Sequence, residues 1–344
     1  MAATRVPSHD DIMRDFREKV KSCEITGICG RPFIRVDKLK TWLSENVVRL
    51  LEAAYRSQDE PALPIDPDYV RRNDSLLIFS ILLQLDRGNL IDRFHMLGLG
   101  DYLPIELSSL KARLGDLGIS AADADSLAER FDKQQWRYCP AKFRLNARRN
   151  YLPSHIIPIS KKEPINAKGG TATVWQIEVL EEFVEERLRK VVPTSRFGEP
   201  GDSLGYVSQP HFDLPSSTFL ALGRNTNHLK RYYFALKSFE DGHKAEYDNE
   251  IVAFQALEGH EGIIRYLGDY GHRDHKSGKN TFNIILEYGE LDLDEYFFDP
   301  GRAPPVLPQE VHGFWTDLYE VATALKDIHT FERKRGDVKQ EYYG

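Results

Sequence analysis

Along the first 150 positions apolar residues recur every three to four places; beyond them the spacing shortens to two. A period near 3.6 marks a helix with one buried face, and a period of two marks a strand with one buried face. The first stretch therefore predicts a mostly helical region. One helix is expected from Asp10 to Ser22. A second, capped by Asp37, should run to about Arg56 with Leu39, Leu43, Val47, Leu50, Leu51 and Ala54 on one side. Pro61, Pro64 and Pro67 break the chain into a loop. Ser75–Asp86, preceded by Asp74, reads as an apolar helix, and Leu107–Leu114 and Ala121–Phe131 as two more.

From residue 151 the alternation begins. Ile156 to Ile159 and Thr173 to Val179 flank Gly169-Gly170 and predict an antiparallel pair of strands. A charged, helix-like stretch follows from Leu180 to Lys190. Residues 194–228, rich in Pro, Gly, Ser and Asn, read as a long surface insertion within about 181–230. Tyr232 to Lys237 is aromatic and strand-like, His243 to Leu257 helical, and Tyr266–Tyr270 and Phe282–Glu287 two further strands. After a proline-rich turn at 300–308, Val311–His329 is an amphipathic helix with Leu318, Val321, Leu325 and Ile328 on one side.

Composition narrows the class. The 344 residues are 41% hydrophobic, enough for a packed core, so global disorder is not expected. A formal charge of −7 argues against general nucleic-acid binding, which needs clustered Lys and Arg against phosphates. Cys23, Cys29 and Cys139 form no disulfide framework and no zinc-ligand spacing, so reduced thiols and no metal site are expected. No apolar run reaches about 18 residues and none near Met1 suits a signal peptide, so the expected location is the cytoplasm or nucleus, away from membranes.

Chemistry concentrates after residue 160. In Ala167-Lys168-Gly169-Gly170-Thr171-Ala172-Thr173-Val174, small residues allow backbone N–H groups to approach a ligand; the same segment also suits an ordinary hairpin turn. In Phe234-Ala235-Leu236-Lys237, alternation puts Ala235 and Lys237 on one face, though a solvated edge lysine would look the same. The next helix carries Tyr247, Ile251 and Phe254 on one stripe and Glu250 beside it. Glu250 is a candidate partner for Lys237, with Glu246 its rival one turn earlier. Ile284-Ile285-Leu286-Glu287-Tyr288-Gly289 is an apolar strand ending in a glycine.

Taken in order, these four segments resemble the protein kinase family, most closely the kinase-like proteins of filamentous fungi. The resemblance implies an α+β fold: a helical N-terminal region (1–150) of unknown role, then a partial kinase domain (151–344). Its small lobe, 151–290, would be a five-stranded antiparallel sheet plus one helix, and 291–344 the first helices of the large lobe. It also implies ATP with Mg as ligand. Ala167 and Gly169 would cover the phosphates; Val174 and Ala235 would border the adenine. Lys237, held by Glu250, would reach the α and β phosphates. Leu286 would be the gatekeeper, and Glu287 and Tyr288 the hinge backbone. The family's Asp-Phe-Gly does not occur before Gly344. Arg335-Gly336-Asp337-Val338-Lys339 is similar to the catalytic-loop motif, but a charged run precedes it and Tyr342 stands where Asn belongs. Asp337 is thus a candidate only, with a solvated loop as the simpler reading.

The implied function is a serine/threonine-type protein kinase acting on a protein substrate, with weak or absent nucleotide affinity and no transfer by this chain alone. The alternative is a non-catalytic pseudokinase or adaptor that holds a protein partner. Lys237 and Glu250 facing each other is the geometry on which the resemblance depends.

Overall fold

A computed structural model describes residues 8–56, 65–72, 75–99, 102–117, 120–166, 170–192, 230–260, 262–289, 305–330, 332–335 and 338–341. It is an α+β structure in which a helical region packs beside a mixed six-stranded sheet.

Helix α1 (His9–Ser22) starts on a capping box, in which Ser8 and Asp11 satisfy each other's backbone donors, and buries Ile12, Met13, Phe16 and Val20. Helix α2 (Val36–Tyr55) buries the expected Leu39, Leu43, Val47, Leu50 and Leu51. Asp37 does not cap it. The helix begins at Val36, with Arg35 at the cap position and no side chain accepting from the first-turn amides, leaving Asp37 in the first turn where a carboxylate suits the helix dipole. A short helix, α3 (Pro67–Arg72), precedes α4 (Leu76–Gln84), which is buried from Leu76 to Leu83 on every side. It is the central rod of the bundle, which explains its lack of a polar face. The bundle is completed by α5 (Ile91–Met96), α6 (Leu107–Leu114) and α7 (Ala121–Gln135).

This region also contains strands that the hydrophobic pattern did not reveal. A hairpin of β1 (Glu24–Thr26) and β2 (Pro32–Ile34) turns at Gly30, whose φ of +75° favours glycine. The hairpin fastens the bundle to the sheet. Phe33 packs into the sheet's core edge-on to Phe183, and Arg31 donates to the carbonyls of Pro153, Ser154 and His155. Arg35 pairs with Glu182 at 3.1 Å.

The sheet comprises β3 (Ala147–Tyr151), β4 (Ile159–Asn166), β5 (Ala172–Leu180), β6 (Arg231–Glu240), β7 (Tyr266–Arg273) and β8 (Asn280–Glu287), in the order β3-β7-β8-β6-β5-β4. Five of these are antiparallel neighbours, as expected, but the strand expected at Ile156–Ile159 starts only at Ile159, past Pro158, which has no N–H to donate, and runs to Asn166. The sixth, β3, joins the edge parallel to β7. So the sheet is mixed and six-stranded rather than five-stranded and antiparallel, and it takes a strand from the stretch read as helical. The segment Ala147-Arg148-Arg149-Asn150-Tyr151 has no apolar alternation because it is an edge strand with solvated side chains, the kind periodicity misses.

One face of the sheet carries Ile177, Val179, Phe234, Leu236 and Ile285 and is covered by the hairpin, the linker around Phe143 and the segment at 181–192, which includes α8 (Glu186–Val191). The other face carries Ala235, Phe239, Ile284 and Leu286 and is covered by α9 (Lys244–Ala256). A long helix, α10 (Pro308–Thr330), and a hairpin of β9 (Glu332–Arg335) and β10 (Val338–Glu341) follow. Among the described residues no helix is long and apolar enough to cross a membrane.

Candidate functional site

The site forms where β6 passes over α9. Strand β6 is aromatic-rich and alternates strictly, sending Tyr232, Phe234 and Leu236 to the sealed face and Ala235, Lys237 and Phe239 toward the helix. Helix α9 lays Tyr247 and Ile251 on the sheet, with Phe254 stacked near Tyr266 at 6.3 Å. Glu250 stands beside that stripe, one turn beyond Tyr247.

Lys237 and Glu250 meet. The Lys237 Nζ lies 2.5 Å from the Glu250 Oε1, with side chains 28% and 24% exposed. The rival, Glu246, turns away to His243 at 3.4 Å and is half-exposed. A pair shielded to this degree is less screened than a surface pair, yet remains reachable from solvent. An ammonium has three donors, and one carboxylate oxygen takes only one of them.

Around the ammonium the sheet supplies an apolar floor. In register, Val174 of β5 lies opposite Lys237, Ile284 of β8 lies on its other side, and Leu286 lies opposite Ala235. Val174, Ala235, Leu286 and Tyr288 all pack in the cluster under α9. A flat apolar surface beside a held cation can accept a planar ring that bears an anionic tail. At the end of β8 the Glu287 amide donates to the Arg265 carbonyl at 2.9 Å, so that N–H is not available to a ligand.

Other expected positions lie outside the described residues: Ala167 and Gly169, between β4 and β5 in the sequence, and Asp337, between β9 and β10. Gly170, which precedes β5, has a φ of +99°, a backbone region that favours glycine. Cys23 is buried, and Cys29 and Cys139 are partly so, all three as free thiols. Among the described residues no group of three or more His, Cys, Asp or Glu side chains is arranged to hold a metal ion.

Helix α10 touches this region through the loop after α9. A Cβ on Gly262 (φ +80°) would lie 3.0 Å from the Glu320 carbonyl oxygen, and His260 pairs with Asp327 at 3.2 Å. The stripe of Val321, Leu325 and Ile328 is exposed, and so, elsewhere around the helix, are Trp315 and Tyr319.

Sequence reasoning passed over one group here. Asp269 of β7 is buried beneath α9 and accepts a hydrogen bond from Tyr247 at 2.5 Å and another from Tyr266. Burial, and then the bond to Asp269, pushes both phenols well above the usual tyrosine range. The signal was present: a lone carboxylate inside an apolar strand is rarely tolerated without partners.

Compared with known proteins, the chain matches no protein-family model, and no curated protein aligns with it closely enough to count as a relative.

Proposed function

We propose that this chain carries an adenine-nucleotide-binding domain of the protein-kinase type, serine/threonine by resemblance, with residues 151–290 as its small lobe and 291–344 as the start of a larger one. The observation that carries the reading is the Lys237–Glu250 pair beside the floor of Val174, Ala235 and Leu286. In this reading Glu250 holds the ammonium extended toward the α and β phosphates of Mg-ATP, whose charge it offsets. The adenine lies against Val174 and Ala235, with Leu286 limiting the depth of the slot, and the chain at Glu287–Tyr288 borders the ring's edge. Ala167 and Gly169 cover the phosphates. Asp337 is assigned no role in this reading.

The second reading, a non-catalytic protein that holds a protein partner, draws on the exposed apolar residues of α10, among them Trp315 at 63% and Tyr319 at 74%. A titration of Mg-ATP followed by backbone NMR separates the two. The nucleotide reading expects shifts centred on Val174, Ala235, Lys237 and Leu286 that disappear in Lys237→Met. Shifts centred elsewhere, or indifferent to that substitution, overturn it; no shift at saturating nucleotide leaves the partner-holding reading.

A further inference from the structure

Asp269 gathers donors from three separate elements. Tyr247 of α9 donates to Oδ1, Tyr266 of β7 donates to Oδ2, and the Arg148 Nε of β3 lies 3.1 Å from Oδ2. Backbone geometry brings them together. A bulge between Tyr266 and Gly268 breaks the period of two, so Tyr266 and Asp269, three residues apart, share the α9 face, while Leu267 and Tyr270 fall on the other. Gly268 has a φ of +153°, and a Cβ there would lie 2.9 Å from the Ala147 carbonyl oxygen. Its absence lets β3 approach in parallel with Arg148 directly beside Asp269.

The electrostatics give this contact a direction of action. A carboxylate with 5% exposure requires both hydrogen bonds and a compensating charge. The two phenols supply hydrogen bonds, and Arg148 supplies the charge. Arg148 itself is 55% exposed, so it contributes that charge only while β3 remains on the sheet edge. Tyr247, in turn, stands one helical turn before Glu250 on the same helix. Fixing its hydroxyl fixes the rotation of α9 about its axis, which decides whether the Glu250 carboxylate reaches Lys237.

We propose that Arg148 is a positioning residue: delivered by β3, it neutralises Asp269, which holds Tyr247 and thereby sets α9 so that Glu250 meets Lys237. Because β3 follows the helical bundle through the linker at 136–146, the bundle is coupled to the ion pair by this strand. Any event that lifts β3 releases α9. The consequence for nucleotide binding rests on the function proposed above; the coupling itself does not.

The full chain and three variants test it without nucleotide. Tyr247→Phe removes one hydroxyl and should speed hydrogen exchange across α9 about tenfold, the size expected for losing a bond to a charged group. Arg148→Gln, at an exposed position, should speed it about threefold. Both should raise the acylation rate of Lys237 relative to other lysines, read by mass spectrometry, as the ion pair opens. Arg148→Lys, which keeps the charge, should restore slow labelling of Lys237. Unchanged α9 exchange in Arg148→Gln, equal loosening of β5 and β6, or failure of Arg148→Lys to restore protection would each overturn the proposal. If these changes appear while Mg-ATP gives no response in the titration above, the coupling stands and the nucleotide reading alone fails.

Discussion

On one face of the six-stranded sheet Phe234 is fully buried and stacks on Phe143 with ring centres 5.6 Å apart, while Phe33 and Phe183 meet edge to face beside it. On the opposite face, three residues further along β6, Lys237 meets Glu250 of α9 at a quarter exposure. The first face is closed by three separate segments of chain, the hairpin of β1 and β2, the linker around Phe143 and the stretch at 181–192. Among the described residues, the second is covered by α9. The same alternating strands thus build a sealed core on one side and a polar, half-open contact on the other. What differs is the number of covering segments. Close packing on one side lets the other keep charged groups near water without endangering the fold.

The largest expected effect breaks the sealed face. Phe234→Ala should cost about 3–5 kcal/mol, the usual range for deleting a buried aromatic, and should show as a lowered urea midpoint. A loss under about 1 kcal/mol would mean that this face is not a packed core.

Acid should weaken the rim of the same face. His155 and His272 lie there, both held below the ordinary value of 6.5, first by burial and, for His155, then by the nearness of His272. Because their folded-state values lie below the unfolded one, the unfolded chain takes up more protons as pH falls through 6.5. Their stabilising contribution is complete above that pH and is lost as pH drops toward the folded values. Urea midpoints measured from about pH 7 to about pH 5 should decline, and His272→Gln should flatten the decline. An identical slope in the variant would rule out this pair as the source.

The smallest effect belongs to the open face. Lys237→Met should change stability by less than about 1 kcal/mol, because a partly solvated ion pair gains little over its hydrated parts. A loss above about 2 kcal/mol would make the pair structural and remove the contrast between the faces.

Much of the molecule was legible in its pattern of apolar residues. Leu107–Leu114 forms the helix expected there, and the stripe of Leu39, Leu43, Val47, Leu50 and Leu51 is buried. The strands around Lys237 and Leu286 and the helix carrying Glu250 lie where the alternation predicted. Strands β1, β2 and β3 were not legible. The first two span only three residues each, too few for a period to register, and the third is a charged edge strand whose pairing is parallel and distant in sequence. Asp269 went unread for a related reason. Its partners lie on α9 and β3, and it shares a face with Tyr266 only because of a bulge that a strict period of two does not anticipate.

By itself the sequence determined the local preferences: which stretches coil, which extend, and that Lys237 shares a face with Ala235. Those follow from side-chain period and backbone sterics, which act between near neighbours along the chain. Only the tertiary structure decided between Glu250 and Glu246, added the parallel strand β3 to the edge, and brought Arg148 and Tyr247 to one carboxylate. Each of these depends on contacts between residues far apart in the chain, where the rotation of a helix about its axis or a single extra residue in a strand redirects a side chain to a different partner.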